Sequence, residues 1–242
     1  MKIKILGCSH SWTERYSSCY LINHNILMDC GADAYKAYIK TKKPFTDIEL
    51  ILVSHFHADH IAGLNCFLTY YQRRPELAKN KKVKIVGPKG IRNACYSVFE
   101  FSNLFSANLD ELFEFVELNE GESFVFDEIT ITGYYLKHGD IDNMGYIFTT
   151  NGFNFGYTGD TTNHSQLYNF IDKCDMCFVD VARLQTSYSH LGVDDFEKIL
   201  NQYPTKQIYA THCDQEVYDM PHLNNNMARE NDEFEVGILE DC

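Results

Sequence analysis

The sequence predicts an α/β fold of the α+β type, in which two β-sheets pack face to face with helices on their outer faces, a four-layer αββα sandwich. Three observations point to it. β-like runs come in two blocks, and helical segments follow each block. The stretch "DIELILVSH" (47–55) is apolar through its centre, as a strand buried on both faces is. The stretch "MGYIFTTNGFNFGYTGD" (144–160) alternates apolar residues on both sides of Asn151-Gly152, a pair suited to the two positive-φ positions of a tight hairpin turn. The 242 residues contain no Pro/Gly-rich linker, low-complexity tract or short-period repeat, so a single domain over 1–242 is expected.

Taken in order, "KIKIL", "SCYLI" and "NILMDCG" read as strands, and Asp29-Cys30-Gly31 turns the chain into a helix, "ADAYKAYIKTK". After the strand ending at His55, a helix is expected from about His60 to Arg73, with Ile61, Leu64, Phe67, Leu68 and Tyr71 at helical spacing. "VKIVGPKG" is another strand and turn. From Ile91 to Phe115 the chain looks helical. Its Phe99, Phe101, Leu104, Phe105, Leu109, Leu112 and Phe113 are too many for one stripe. They suit a pair of core helices, or else a dimer face or lid. Strands resume with "ESFVF" and "EITITGYYLKHG", and the hairpin follows. A helix from about Asn163, the strand "MCFVDVA", a helix from Val193, the strand "KQIYATH", a further helix and a final strand "FEVGIL" complete the chain.

Composition narrows the function. The net charge is −13, which repels extended DNA or RNA. A small anion could still be drawn to a site where metal ions reverse the local sign. No apolar run approaches about 18 residues, so no membrane span is expected, and "MKIKILGCSHSW" lacks the apolar core of a signal peptide. Nine cysteines without an export signal suggest reduced thiols and a cytoplasmic protein. Cys174 and Cys177 form a lone CxxC, which reads as two small buried residues more readily than as half of a structural zinc site. The lysines at 40–43 and 79–84 read as solvated faces.

Chemistry concentrates in "SHFHADHIAG". His55, His57, Asp59 and His60 are the ligand types for zinc or a similar first-row metal. Residues two apart in an extended segment point the same way, so His55 and His57 can grip one ion. Where the chain turns into a helix, Asp59 and His60 face elsewhere and can grip a second.

This stretch resembles the signature of the metallo-β-lactamase fold superfamily. The further ligands of that family have counterparts just past later β-like runs: His138 in "YYLKHGD", Asp160 in "FGYTGDT" and His212 in "IYATHCD". The resemblance implies two divalent metal ions, with zinc favoured and manganese or iron also suited. His55, His57 and His138 would hold the first, Asp59, His60 and His212 the second, and Asp160 would bridge them. True β-lactamases of this fold usually carry Cys at the Asp160 position. A bridging carboxylate implies two closely spaced ions that lower the pKa of a bound water toward about 7. Asp59 could also orient that nucleophile.

"HGDIDNMGYIF…FGYTGDT" and "SHLGVDDFEKIL" followed by "IYATH" resemble the phosphodiesterase branch of the superfamily. That branch includes ribonuclease Z, the cyclic phosphodiesterase of phosphonate breakdown and the phage anti-Pycsar proteins. By that resemblance His190 lies near the scissile phosphate and contacts it or protonates the leaving oxygen, help worth about 10²–10⁴-fold. Ribonuclease Z carries a long tRNA-gripping arm between its third-motif His and its bridging Asp. Here the interval from His138 to Asp160 holds only the hairpin. Glyoxalase II carries a C-terminal helical domain, and with roughly 30 residues after His212 that relationship is not expected; the intact His57 argues against an oxygen-reducing flavodiiron site.

A binuclear phosphodiesterase for a small anionic phosphodiester is therefore expected, with a cyclic mononucleotide as the leading substrate. A cyclic sugar phosphate, a ribonuclease Z-like nuclease, a thioester, lactone or lactam hydrolase, and a non-catalytic nucleotide-binding protein are the alternatives. A homodimer is the default expectation. Trp12 is a candidate for stacking on a base, although simple packing is its plainer reading. His10 follows the first turn and could line the site, while His164 and His222 carry no pattern.

Overall fold

A computed structural model of the chain describes residues 1–78, 81–100 and 108–237. One sheet contains β1 (Lys2–Gly7), β2 (Cys19–Ile22), β3 (Ile26–Met28), β4 (Leu50–Leu52), β5 (Val83–Gly87) and β6 (Phe113–Glu117) side by side, with β13 (Glu233–Glu235) outside β1. From β3 to β6 neighbouring strands run parallel. The other sheet orders β7 (Ser123–Phe126), β8 (Ile129–His138), β9 (Ile141–Thr150), β10 (Phe153–Tyr157), β11 (Met176–Asp180) and β12 (Gln207–Thr211). It is antiparallel from β7 to β10 and parallel from β10 to β12.

Alternation along the strands builds the layers. Leu50 and Leu52 of β4 point between the sheets with Ile5, Tyr20, Met28, Tyr146, Phe155 and Phe178. Ile51 points the other way, into a second cluster under α1 (Ala34–Lys40), α3 (Leu64–Gln72) and α4 (Ile91–Glu100). On the far side, Cys177 and Val179 of β11 meet α5 (Ser165–Asp172) and α6 (Val193–Gln202) in a third. Three apolar layers separated by two sheets are the expected αββα sandwich. Asn151 and Gly152 take φ of 49° and 76°, the turn expected between β9 and β10.

Three elements depart from the sequence reading. The helix expected from His60 to Arg73 is two, α2 (Ala58–Ile61) and α3. They part at Gly63, where a Cβ would fall 2.1 Å from the Gly31 carbonyl oxygen; the backbones approach too closely for one uninterrupted helix bearing side chains. The segment from Ile91 to Phe115 is not helical throughout. α4 ends at Glu100, and Phe113 opens β6, which pairs with β5 from Val83↔Phe113. Phe99, Leu109, Leu112 and Phe113 are buried in the helix-side core, so they pack internally. Phe101, Leu104 and Phe105 lie outside the described residues. The final strand is only Glu233–Glu235, and Ile238 and Leu239 also lie outside them. Among the described residues, no helix is long and apolar enough to cross a membrane.

Candidate metal centre

Both sheets deliver their polar residues to one place, just past or at the last residue of a strand. Asp29 follows β3, Ser54 and His55 follow β4, and His138 closes β8. Asp160 follows β10, Asp180 closes β11, and His212 follows β12. Parallel strands leave a crevice at their carboxyl ends, the usual place for a site in such sheets. His212 holds φ of 58°, uncommon for a non-glycine residue and typical of functional positions. Gly159, with φ of 60°, lets the chain turn beside Asn143, whose Oδ1 a Cβ would meet at 2.3 Å.

Asp160 is the hub. Its Oδ2 lies 3.6 Å from His55 Nε2 and 3.8 Å from His138 Nε2. Its Oδ1 lies 3.1 Å from His60 Nε2 and 3.5 Å from His212 Nδ1. The two oxygens of one buried carboxylate thus face two different sets of imidazoles. On the Oδ2 side, His57 Nδ1 is 3.0 Å from His55 Nε2 and 3.2 Å from His138 Nε2. On the Oδ1 side, Asp59 Oδ2 is 3.2 Å from His212 Nε2. Ligand atoms of His55, His57, His138 and Asp160 lie within 4.8 Å of one another, as do those of Asp59, His60 and His212. Each group could hold an ion.

Neighbouring groups aim the imidazoles. Asp29 Oδ2 accepts from Tyr157 Oη at 2.6 Å, Ser54 Oγ at 2.8 Å and His60 Nδ1 at 2.7 Å. His60 therefore presents Nε2 to the centre. Ser54 Oγ uses its hydrogen to donate to Asp29, so at 3.1 Å its oxygen accepts from His55 Nδ1, which frees the Nε2 lone pair. His138 Nδ1 donates to the Ser189 carbonyl at 2.7 Å, with the same result. Such outer partners fix tautomer and ring orientation in metal sites.

The chemistry of the donors fits a cation. His60 Nε2, Asp160 Oδ1, Asp180 Oδ1 and His212 Nδ1 are buried without a hydrogen-bond partner, a costly condition unless something positive sits among them. Burial, and then the neighbouring histidines, push His55 and His57 below the ordinary imidazole range, toward the neutral form that binds metal. Burial works against ionised Asp59, but His212 and His60 outweigh it and keep the carboxyl low.

His190 stands beside the hub. Its Nδ1 donates to Asp180 Oδ2 at 2.9 Å and lies 3.9 Å from Asp160 Oδ2, and its ring stacks on His212 at 5.5 Å. Burial opposes its protonated form, yet the Asp180 charge and hydrogen bond prevail and raise its pKa.

All eight residues singled out in the sequence meet at this centre. Asp29 and Asp180 were missed, although each ends an apolar strand as Asp160 does, and that shared placement was their signal. His10 is buried beside His212, whereas Trp12 is 86% exposed and does not pack into the core. Cys174 and Cys177 are buried in the outer apolar cluster, and among the described residues no cysteine joins a candidate metal group. Lys81 and Lys84 pair with Glu49 and Glu114. His164 accepts from the Lys137 amide at a distance from the hub.

Residues 24–213 match the family described as Beta-lactamase superfamily domain. The chain belongs to that family. Ribonuclease Z of Macrococcus caseolyticus is similar to this β-lactamase superfamily member, 33% identical over 154 residues that make up 60% of this chain and 48% of the relative. The chain spans about half the length of the curated relatives it matches. Among solved structures, the metallo-β-lactamase fold protein YhfI from Bacillus subtilis superposes with a TM-score of 0.76 at 16% identity, covering 96% of this chain and 98% of that one. A diphosphatase of the PhnP family gives 0.76 at 17%, covering 97% of each chain. These likenesses establish the metallo-β-lactamase fold for this family member.

Proposed function

We propose that the chain, acting as one domain over residues 1–242, is a two-metal phosphodiesterase for a small phosphodiester, most simply a cyclic mononucleotide. The observation that carries this reading is Asp160, whose two oxygens face separate histidine sets with His190 alongside. His55, His57 and His138 would hold one divalent ion, Asp59, His60 and His212 the other, and Asp160 both. Zinc suits these ligands, as do manganese and iron. Bound there, the ions would supply a water activated near neutral pH and positive charge for the phosphoryl oxygens.

The chain's own residues supply the rest. Water is the nucleophile: one of its protons passes to solvent, its oxygen's bond to phosphorus forms, and the bond from phosphorus to the leaving oxygen breaks. His190 gives that oxygen its proton from Nε2, because Nδ1 is committed to Asp180. Asp59 accepts a hydrogen bond from the attacking water and orients it.

Substrate size follows from the hairpin between His138 and Asp160. β8 and β9 are joined by Gly139 and Asp140 alone, with His138 paired to Ile141. Nothing long projects there to grip RNA, and Asp140 and Asp142 are exposed beside it, where they would repel a polyanion. The sequence likeness to ribonuclease Z favours a second reading, cleavage of RNA. A cytoplasmic homodimer completes the proposal.

Protein loaded with zinc or manganese should hydrolyse bis(p-nitrophenyl) phosphate, and His55→Ala should abolish the activity. A mass-spectrometric screen of cyclic mononucleotides, cyclic dinucleotides and cyclic ribose phosphates should show a ring-opened monophosphate. Turnover of a tRNA precursor instead would favour the second reading. Fully metallated protein that turns over no phosphodiester would falsify both.

A further inference from the structure

One buried polar side chain beside the centre has no role in the scheme above. His10 is 9% exposed. Its ring stands edge-on to His212, with centroids 5.1 Å apart, and to His190 at 6.0 Å. It belongs to none of the groups of converging ligand atoms among the described residues, which include a third of Asp160, Asp180, His190 and His212.

The loop carrying it is held in place. Ser9 Oγ donates to the Cys213 carbonyl at 2.9 Å, and Arg15 Nη2 donates to Ser9 Oγ at 3.2 Å and to the same carbonyl at 3.3 Å. Arg15 Nη1 reaches Gln215 Oε1 at 2.7 Å. His10 is thereby fixed to the segment that carries His212, and its ring is pre-organised.

Its hydrogen bonding is incomplete. Nδ1 is buried without a partner, and Asp214 Oδ1 faces it at 3.6 Å. A carboxylate in front of Nδ1 favours the proton on that nitrogen, which leaves a lone pair on Nε2. Among the described residues, Nε2 makes no hydrogen bond. A neutral imidazole in this tautomer offers its second nitrogen only as an acceptor. An ionised phosphodiester has no proton to give it, whereas a hydroxyl does.

We propose that His10 is a specificity residue whose Nε2 accepts a hydrogen bond from a substrate hydroxyl next to the scissile phosphate. In a 3′,5′-cyclic ribonucleotide both the 3′ and 5′ oxygens are esterified, so the free sugar donor is the 2′-hydroxyl. The assignment rests on the cyclic-mononucleotide reading and sharpens it, since a site built around such an acceptor disfavours the analogue that lacks the hydroxyl.

The test compares kcat/KM for a 3′,5′-cyclic ribonucleotide and its 2′-deoxy counterpart, on metal-loaded wild type, His10→Ala and His10→Gln. One net hydrogen bond predicts a ribose preference of about tenfold for wild type. His10→Ala should collapse the ratio toward one through loss on the ribonucleotide. His10→Gln carries an amide oxygen near the place of Nε2 and should keep several-fold of the preference, so that a folding defect in the alanine variant would not decide the matter. A wild-type ratio near one, or a preference that survives in His10→Ala, overturns the proposal, and so does an equal fall on both substrates. If wild type hydrolyses bis(p-nitrophenyl) phosphate but neither cyclic nucleotide, the substrate reading fails and takes this inference with it. If it opens both rings without preference, only the role of His10 fails.

Discussion

The two halves of the centre share Asp160 but are built differently. His55, His57 and His138 form an all-imidazole half, oriented by uncharged groups, the Ser54 hydroxyl and the Ser189 carbonyl. Asp59, His60 and His212 form a half ringed by carboxylates, with Asp29 on His60 and Asp180 Oδ1 facing His212 Nδ1 at 3.4 Å. Burial alone would lower the pKa of His60 and His212, but Asp160 and the flanking carboxylates push both up, His212 to about 10. At His55 burial and the neighbouring histidines, His60 first, outweigh the pull of Asp160, and the pKa is pushed down. One half is oriented by neutral groups and the other by charged ones. His190 stands between the halves: its Nδ1 donates to Asp180 and lies 3.9 Å from Asp160 Oδ2, and its ring is 4.9 Å from that of His138 and 5.5 Å from that of His212. The contrast teaches that one buried carboxylate can face two sets of imidazoles whose outer support differs, neutral groups on one side and carboxylates on the other.

Substitutions can break this contrast or sharpen it. The largest effect is expected from Asp160→Asn, which weakens both halves together. Metal analysis should find fewer than two ions per chain, and phosphodiester turnover should fall below detection. Two retained ions with wild-type rates would remove Asp160 from its central place. Next comes His190→Ala, which leaves the seven proposed ligands in place. kcat on phosphodiesters should drop by about 10²–10⁴-fold while metal content stays at two. Equal losses on a lactone substrate would argue against a role in protonating the phosphodiester's leaving oxygen. The smallest effect concerns orientation. Asp29→Asn should weaken metal binding by about 10–100-fold in chelator competition. Ser54→Ala should cost less, because it removes a neutral partner and leaves the Asp29 charge in place. If Ser54→Ala proves the more damaging, the distinction between the halves is wrong.

Several features were legible without coordinates. "HFHADH" places four candidate ligands by local stereochemistry alone, since two-residue spacing in extended chain and the turn into α2 set their directions. The Asn151-Gly152 turn and the alternating residues of β9 and β10 are equally local. Where a local rule met a tertiary demand, the tertiary demand won. Phe113 has the surroundings of a helix in sequence, yet pairing with Val83 of β5 makes it a strand residue. Gly63 breaks a helical pattern because the Gly31 backbone passes against it.

The sequence by itself determined the sandwich architecture and which residue types could bind metal, because both depend on periodicity and spacing over a few residues. The grouping of Asp59 with His212, 153 positions apart, and a place for His10 at the site were expected only through the family resemblance and a turn position, and only the tertiary structure decided the contacts themselves and that Asp29 and Asp180 aim the histidines. Those contacts depend on how two twisted sheets pack and which strand ends come together, and no short-range pattern in the chain encodes that packing.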